Sequence, residues 1–168
     1  MKRRSGFKRS AAAGKPRKPG RTVFLSYSWD NSPHKDWVTK FAFRLKANGI
    51  KVVIDQWNLT LGGSLARFME AAIESSDFVL LICTPEYKKR ADERAGGVDY
   101  EQDLMIAERS IVRNYNKFIP VLRAGDWYSA MPKWISGHLG VDLRDHKYAE
   151  DNFQNLVDYL RSAPVIRR

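Results

Sequence analysis

One carboxylate in this chain falls at the mouth of a helix near the end of a buried strand. Glu101 follows the apolar run Phe78–Cys83 and a long connection, Thr84–Val98, that carries Pro85, Gly96, Gly97 and seven charged residues. Asp99 is positioned to cap a helix on which Tyr100, Leu104, Ala107 and Ile111 share one face. Glu101 therefore falls in the first helical turn. A carboxylate there can stabilise positive charge as it develops on a reacting group. The helix dipole alone also favours an acid at that position, so the spacing by itself leaves both roles open.

Other residue types add to the chemistry. Tyr27, near the end of a strand-like run, and Trp29 and Trp57, in the loops after such runs, offer flat apolar faces that can either sandwich a planar ring or pack as rim. Ser28 can donate to a ligand or cap a turn. Gly62, followed by Gly63, either lets backbone approach a phosphate or simply forms a turn before a helix; no G-x-G-x-x-G or P-loop pattern is present. The three histidines, His34, His138 and His146, lack metal-ligand spacing, which argues against a zinc site. The lone cysteine, Cys83, belongs to a buried strand and there is no G-x-S-x-G, so a serine or cysteine hydrolase is disfavoured.

These groups need a scaffold, and the apolar pattern supplies one. Residues 23–28 (VFLSYS) read as a first strand. Ser32 is the expected N-cap, with Pro33 at the first position of a helix carrying Trp37, Phe41, Ala42 and Leu45 and ending at Asn48–Gly49. Residues 50–55 (IKVVID) form a second strand. Ser64 caps a helix on which Leu65, Phe68, Met69, Ala72 and Ile73 recur at helical spacing. The run Phe78–Cys83 has no polar residue and reads as a central strand covered on both faces. The connection from Thr84 to Val98 is expected to be a loop, far longer than a usual βα connection. Residues 117–122 (KFIPVL) give a fourth strand in which Pro120 lacks a ladder donor. Leu139–Leu143 is a fifth, followed by a helix with Phe153, Leu156, Val157 and Leu160 inside. Alternation of this kind predicts a flavodoxin-like five-stranded parallel sheet of order 2-1-3-4-5 with helices on both faces. Ligands bind such sheets at the carboxyl ends beside the switch point. Three loops border that crevice: Ser28–Ser32, Asp55–Gly63 and Thr84–Glu101.

The 168 residues suffice for one domain and a tail. Of the chain's surplus of ten positive charges, nine lie in residues 1–21, which hold no acid, so the rest carries a net +1. The division is thus a basic disordered tail, 1–21, and a folded domain, 22–168. The tail reads as a solubilising leader, with weak nucleic-acid contact as its alternative use. A single cysteine and the absence of a long apolar run point to a soluble, cytoplasmic protein with no membrane span.

The segments VFLSYSWD, IDQWNLTLGGS, SDFVLLICTPEY and GGVDYE, in that order, resemble a TIR domain of bacterial type grading into SEFIR domains. The likeness runs from about Thr22 to Leu160. It implies one of two functions: cleavage of NAD, or homotypic assembly without catalysis. In the enzymes a glutamate near the start of the helix after the third strand is essential, and Glu101 matches it. Many catalytic members have Trp four residues earlier; here Gly97 stands there, as in the SEFIR-like branch, while Val98–Glu101 matches the V-x-Y-E remainder.

The resemblance makes NAD a substrate, with no separate cofactor, and makes Tyr27, Ser28, Trp29, Trp57, Gly62, Thr84 and Tyr100 the candidates to contact it. One carboxylate is then enough, because nicotinamide leaves as a neutral molecule and needs no protonation, unlike a sugar oxygen. Nicotinamide and linear, cyclic or conjugated ADP-ribose would be the products. The resemblance further implies bacterial anti-phage defence, a companion defence protein and activation by self-association. Asp55–Gly63, with Trp57, Leu59 and Leu61, is the expected contact loop, unless those side chains fold back onto their own domain.

Overall fold

The computed structural model describes residues 20–58, 60–94 and 115–164. Five parallel strands form one sheet in the order β2-β1-β3-β4-β5: β1 Thr22–Ser26, β2 Lys51–Val53, β3 Phe78–Cys83, β4 Phe118–Leu122 and β5 Val141–Asp142. The expected flavodoxin-like order is therefore observed. All six residues of β3 are buried, as a strand covered on both faces requires. On one face α1 (Ser32–Ala47) and the last helix, α6 (Ala149–Ser162), seal Val23, Leu25, Leu80, Ile82 and Val121. On the other, α3 (Leu65–Ser75) covers Phe24, Val79 and Leu81. The described residues also hold two one-turn α-helices, α2 (Asp55–Asn58) and α5 (Trp127–Ala130). Among the described residues no helix is long and apolar enough to cross a membrane.

Several sequence expectations shift. Helix α1 begins one residue early, because the Asn31 carboxamide, rather than Ser32, accepts from the His34 N–H at 2.9 Å. Ser64 caps α3 as expected. The connection expected to be a loop contains a helix, α4, at Pro85–Arg94. Its start is legible in hindsight. Thr84 caps it through the Tyr87 N–H at 3.0 Å, Pro85 opens it, and Glu86–Arg90 and Lys88–Asp92 pair one turn apart at 2.8 Å each. Such a helix carries little apolar stripe, so hydrophobic periodicity does not reveal it.

Pro120 sits inside the sheet without losing a bond. The Leu122 carbonyl accepts from the Leu143 N–H at 3.0 Å, and ladder alternation turns Pro120 toward the same neighbour, β5. Pairing with β5 starts only at Val121, so no acceptor waits for the donor that proline lacks. Close by, a β-carbon at Gly140 would lie 2.4 Å from the Trp127 ring and 2.9 Å from the Pro120 carbonyl, which restricts that position to glycine. Arg21 is already part of the fold: its carbonyl accepts from the Lys51 N–H at 2.7 Å and its guanidinium donates to the Ala163 carbonyl. Residues 1–19 of the basic segment lie outside the described residues.

Candidate functional site

Two carboxylates organise the crevice at the carboxyl ends of the strands. Asp55 leaves β2 as the first residue of α2 and is only 9% exposed. It accepts from the Tyr27 hydroxyl at 2.7 Å and from the Trp29 indole N–H at 2.8 Å. The Gln56 carboxamide donates to the same Tyr27 oxygen at 2.6 Å. Burial, and then the bond to Asp55, push the Tyr27 phenol well above its ordinary pKa, so it stays a neutral donor. Asp30 does the matching work toward β3, accepting from the Ser28 hydroxyl and from Thr84 Oγ1, the latter at 2.7 Å. The loop between β1 and α1 is thereby fastened on one side to β2 and on the other to β3.

What this fastening presents is an indole. Trp29 is 49% exposed although its N–H is tied down, and the Lys35 ammonium stands 4.1 Å from its ring centroid. A flat, immobilised, half-exposed ring beside a cation is a platform for stacking.

Behind the loop lie a histidine and an arginine. His34, 6% exposed, lies in the first turn of α1 with its ring 6.1 Å from that of Tyr27. Burial holds the imidazole below its ordinary 6.5; the Asp30 charge opposes this and the Arg123 charge reinforces it. Arg123 directly follows β4, and its N–H donates to the Cys83 carbonyl at 3.0 Å. Its guanidinium lies 4.9 Å from the centroid of Trp37, which in turn stacks on Phe41 at 5.1 Å. His34 Nε2 and Arg123 Nε are both enclosed and without a hydrogen-bond partner. Each such group costs about 1–3 kcal/mol when left unsatisfied.

Residues 23–157 match the family profile described as TIR domain. The chain belongs to the TIR-domain family. Among solved structures, this TIR domain is similar to a prokaryotic SEFIR domain at 29% identity, with a TM-score of 0.71 over 89% of this chain and 97% of the other. It is similar in fold to the TIR domain of the Toll-related receptor TRR-2 from Hydra magnipapillata (19% identity, TM-score 0.56, 82% and 96% covered). The same holds for the TIR domains of the activated Roq1 resistosome (17% identity, TM-score 0.54, 83% and 98% covered). No curated protein matches the chain.

Of the residues singled out in the sequence, this TIR domain brings Tyr27, Ser28, Trp29 and Thr84 together through the two carboxylates. Thr84 is 2% exposed and fully engaged, capping α4 while donating to Asp30. Trp57 is elsewhere: it packs on Phe43 at 5.1 Å with the Lys46 ammonium 4.8 Å from its ring, against the outer side of α1. Gly62 has φ of 78° and open space where a β-carbon would stand, the conformation of a free turn. Glu101, Tyr100 and Leu59 lie outside the described residues. Cys83 is buried in β3 with its thiol pushed up to about 12 by burial, which leaves it inert.

Asp30, Asp55 and Arg123 were not singled out from the sequence, and His34 was weighed only as a metal ligand. For the two acids a signal existed: each stands within a few residues of the carboxyl end of a strand, next to hydroxyl or indole donors, in YSWD and IDQW. For His34 and Arg123 there was none, since their meeting depends on how α1 crosses the sheet.

Proposed function

We propose that this TIR domain is an NAD glycohydrolase that works when self-associated, in a bacterial anti-phage defence response in the cytoplasm. The observation that carries the reading is the Trp29 platform, locked by Asp55 and half exposed at the switch-point crevice. Such a ring suits the adenine or nicotinamide of a dinucleotide. Glu101 is the residue that corresponds to the family's catalytic glutamate. In the proposed reaction the bond between ribose C1′ and the nicotinamide nitrogen breaks, and its electron pair leaves with neutral nicotinamide. The Glu101 carboxylate stabilises the oxocarbenium character left on the ribose. Water then adds at C1′ and loses a proton, giving ADP-ribose; attack by a hydroxyl instead gives a cyclic or conjugated product.

The deciding experiment incubates concentrated protein with NAD and separates the products by chromatography. Nicotinamide release is expected from the parent protein and not from Glu101→Gln with an unchanged circular dichroism spectrum. Turnover by the folded Glu101→Gln protein would remove that residue from the mechanism, and no turnover by the parent at any concentration would remove the activity.

A second reading is a non-enzymatic assembly module. It is favoured by Leu61, wholly exposed in the turn beside Gly62, with Leu65 also exposed nearby, and by the likeness to a prokaryotic SEFIR domain. Apolar side chains held out on a turn suit a partner surface, and a second copy is the proposed partner. A companion defence protein and weak nucleic-acid contact through residues 1–21 complete the proposed partners.

A further inference from the structure

Building on the nucleotide-binding reading above, we propose that Arg123, backed by His34, forms the subsite of the crevice that takes a diphosphate. Arg123 is a cation without a carboxylate: among the described residues its guanidinium makes no ion pair, whereas Arg144, beyond the next strand, is tied to Asp142 at 2.6 Å. Asp30, whose charge acts on His34 together with that of Arg123, already accepts from two hydroxyls, Ser28 and Thr84. Trp37 lies against the guanidinium, 4.9 Å from its central carbon, and Phe41 stacks on Trp37. A planar fork backed in this way matches the paired oxygens of a phosphate, which a lysine ammonium would meet only as a point charge.

Position supports the same occupant. Tyr27 continues the alternation of Val23 and Leu25, and Arg123 that of Ile119 and Val121; all four apolar residues share one core with α1. Arg123 therefore stands on the α1 side of the sheet; Trp29 is held by Asp55 after β2, and β4 is three strands from β2, an interval of about 14 Å. A nucleotide whose ring lies on Trp29 would cross that interval with its ribose and bring its phosphates to Arg123. The enclosed, unpartnered Arg123 Nε and His34 Nε2 supply further polar capacity at the same end. A neutral imidazole can donate through Nε2 to a phosphate oxygen without adding a second buried cation.

The test measures binding of ADP, adenosine and inorganic pyrophosphate by calorimetry to the full chain and to Arg123→Lys. Both proteins carry the same basic segment, 1–21, so diffuse anion binding is common to the two. ADP is expected to bind the parent more tightly than adenosine, pyrophosphate is expected to compete with ADP, and Arg123→Lys should weaken ADP at least about tenfold. Adenosine binding should not change. Arg123→Met, which keeps the apolar stem over Trp37, serves the same comparison should the lysine variant fail to fold. Equal affinity of parent and variant for ADP, or a parent that binds ADP no better than adenosine, would overturn the subsite. The outcome is separable from turnover, because ADP has no nicotinamide bond. ADP held through Arg123 by a protein that never cleaves NAD upholds the subsite and defeats the enzyme; NAD cleavage with KM indifferent to Arg123→Lys does the reverse.

Discussion

The loop after β1 and the connection after β2 border the same crevice and are built on opposite plans. From Tyr27 to Asp30 each polar side chain is bonded, through Asp55 on one side and Asp30 and Thr84 on the other. The connection after β2 starts equally firmly, at Asp55, and then lets go: Leu61 is wholly exposed and Gly62 has open space where a β-carbon would stand. A ligand platform must be preorganised, since ordering it at the moment of binding would subtract from affinity. A docking surface can instead keep an apolar side chain on a turn that costs little to move. The two functions proposed for the crevice rim thus divide between neighbouring segments.

Removing Asp55 should break the contrast most severely. Asp55→Ala strips the acceptor from both Tyr27 and Trp29, each a bond to a charged group, and should destabilise the domain by about 3 kcal/mol. Urea unfolding measures the loss, and the Trp29 emission should shift to the red as its anchor goes. A midpoint within error of the parent would mean that the first loop is no better fixed than the second.

Acid should loosen the anchored side next. Burial lowers the His34 pKa below its unfolded value of 6.5, so the native state binds fewer protons than the unfolded chain. The associated stability is fully present above about pH 6.5 and shrinks as the pH falls below it. Urea midpoints between pH 7.5 and 5.5 should decline in the parent and decline less in His34→Gln. Identical slopes in the two proteins would show that His34 does not titrate as its surroundings require.

The smallest effect on stability should come from Leu61→Asp, because Leu61 is wholly exposed. Its unfolding midpoint should stay within about 0.5 kcal/mol of the parent, as for most exposed positions. Self-association, followed by light scattering against concentration, should fall, and any NAD cleavage with it. Specific activity that is flat with concentration and indifferent to this change would leave the turn without a partner.

Legibility in the sequence followed the range of the forces involved. β3 was evident because six consecutive apolar residues admit few alternatives, and α3 because its stripe repeats at helical spacing and Ser64 caps it. Helix α4 was hidden, since it is held by charge pairs and a cap. Within the site, Tyr27, Ser28, Trp29 and Thr84 could be nominated from their place at strand ends. Asp30 and Asp55 join residues up to 54 positions apart in the chain, and hydrogen bonds of that reach leave no periodic mark. Trp57 has the same residue type and the same kind of loop as Trp29, yet Phe43 and Lys46 capture it. Residue type alone does not tell which aromatic will face a crevice.

Pro120 and the brevity of the outer strands have a bearing on aggregation. At one margin of the sheet β2 offers three residues, and at the other β5 offers two. Where β5 falls short, the residue of β4 turned outward is a proline with no N–H to give. A foreign strand arriving at either margin finds too few donors and acceptors to zip up against. Copies of this domain at high local concentration are accordingly steered away from the continuous cross-strand pairing that leads to fibrils.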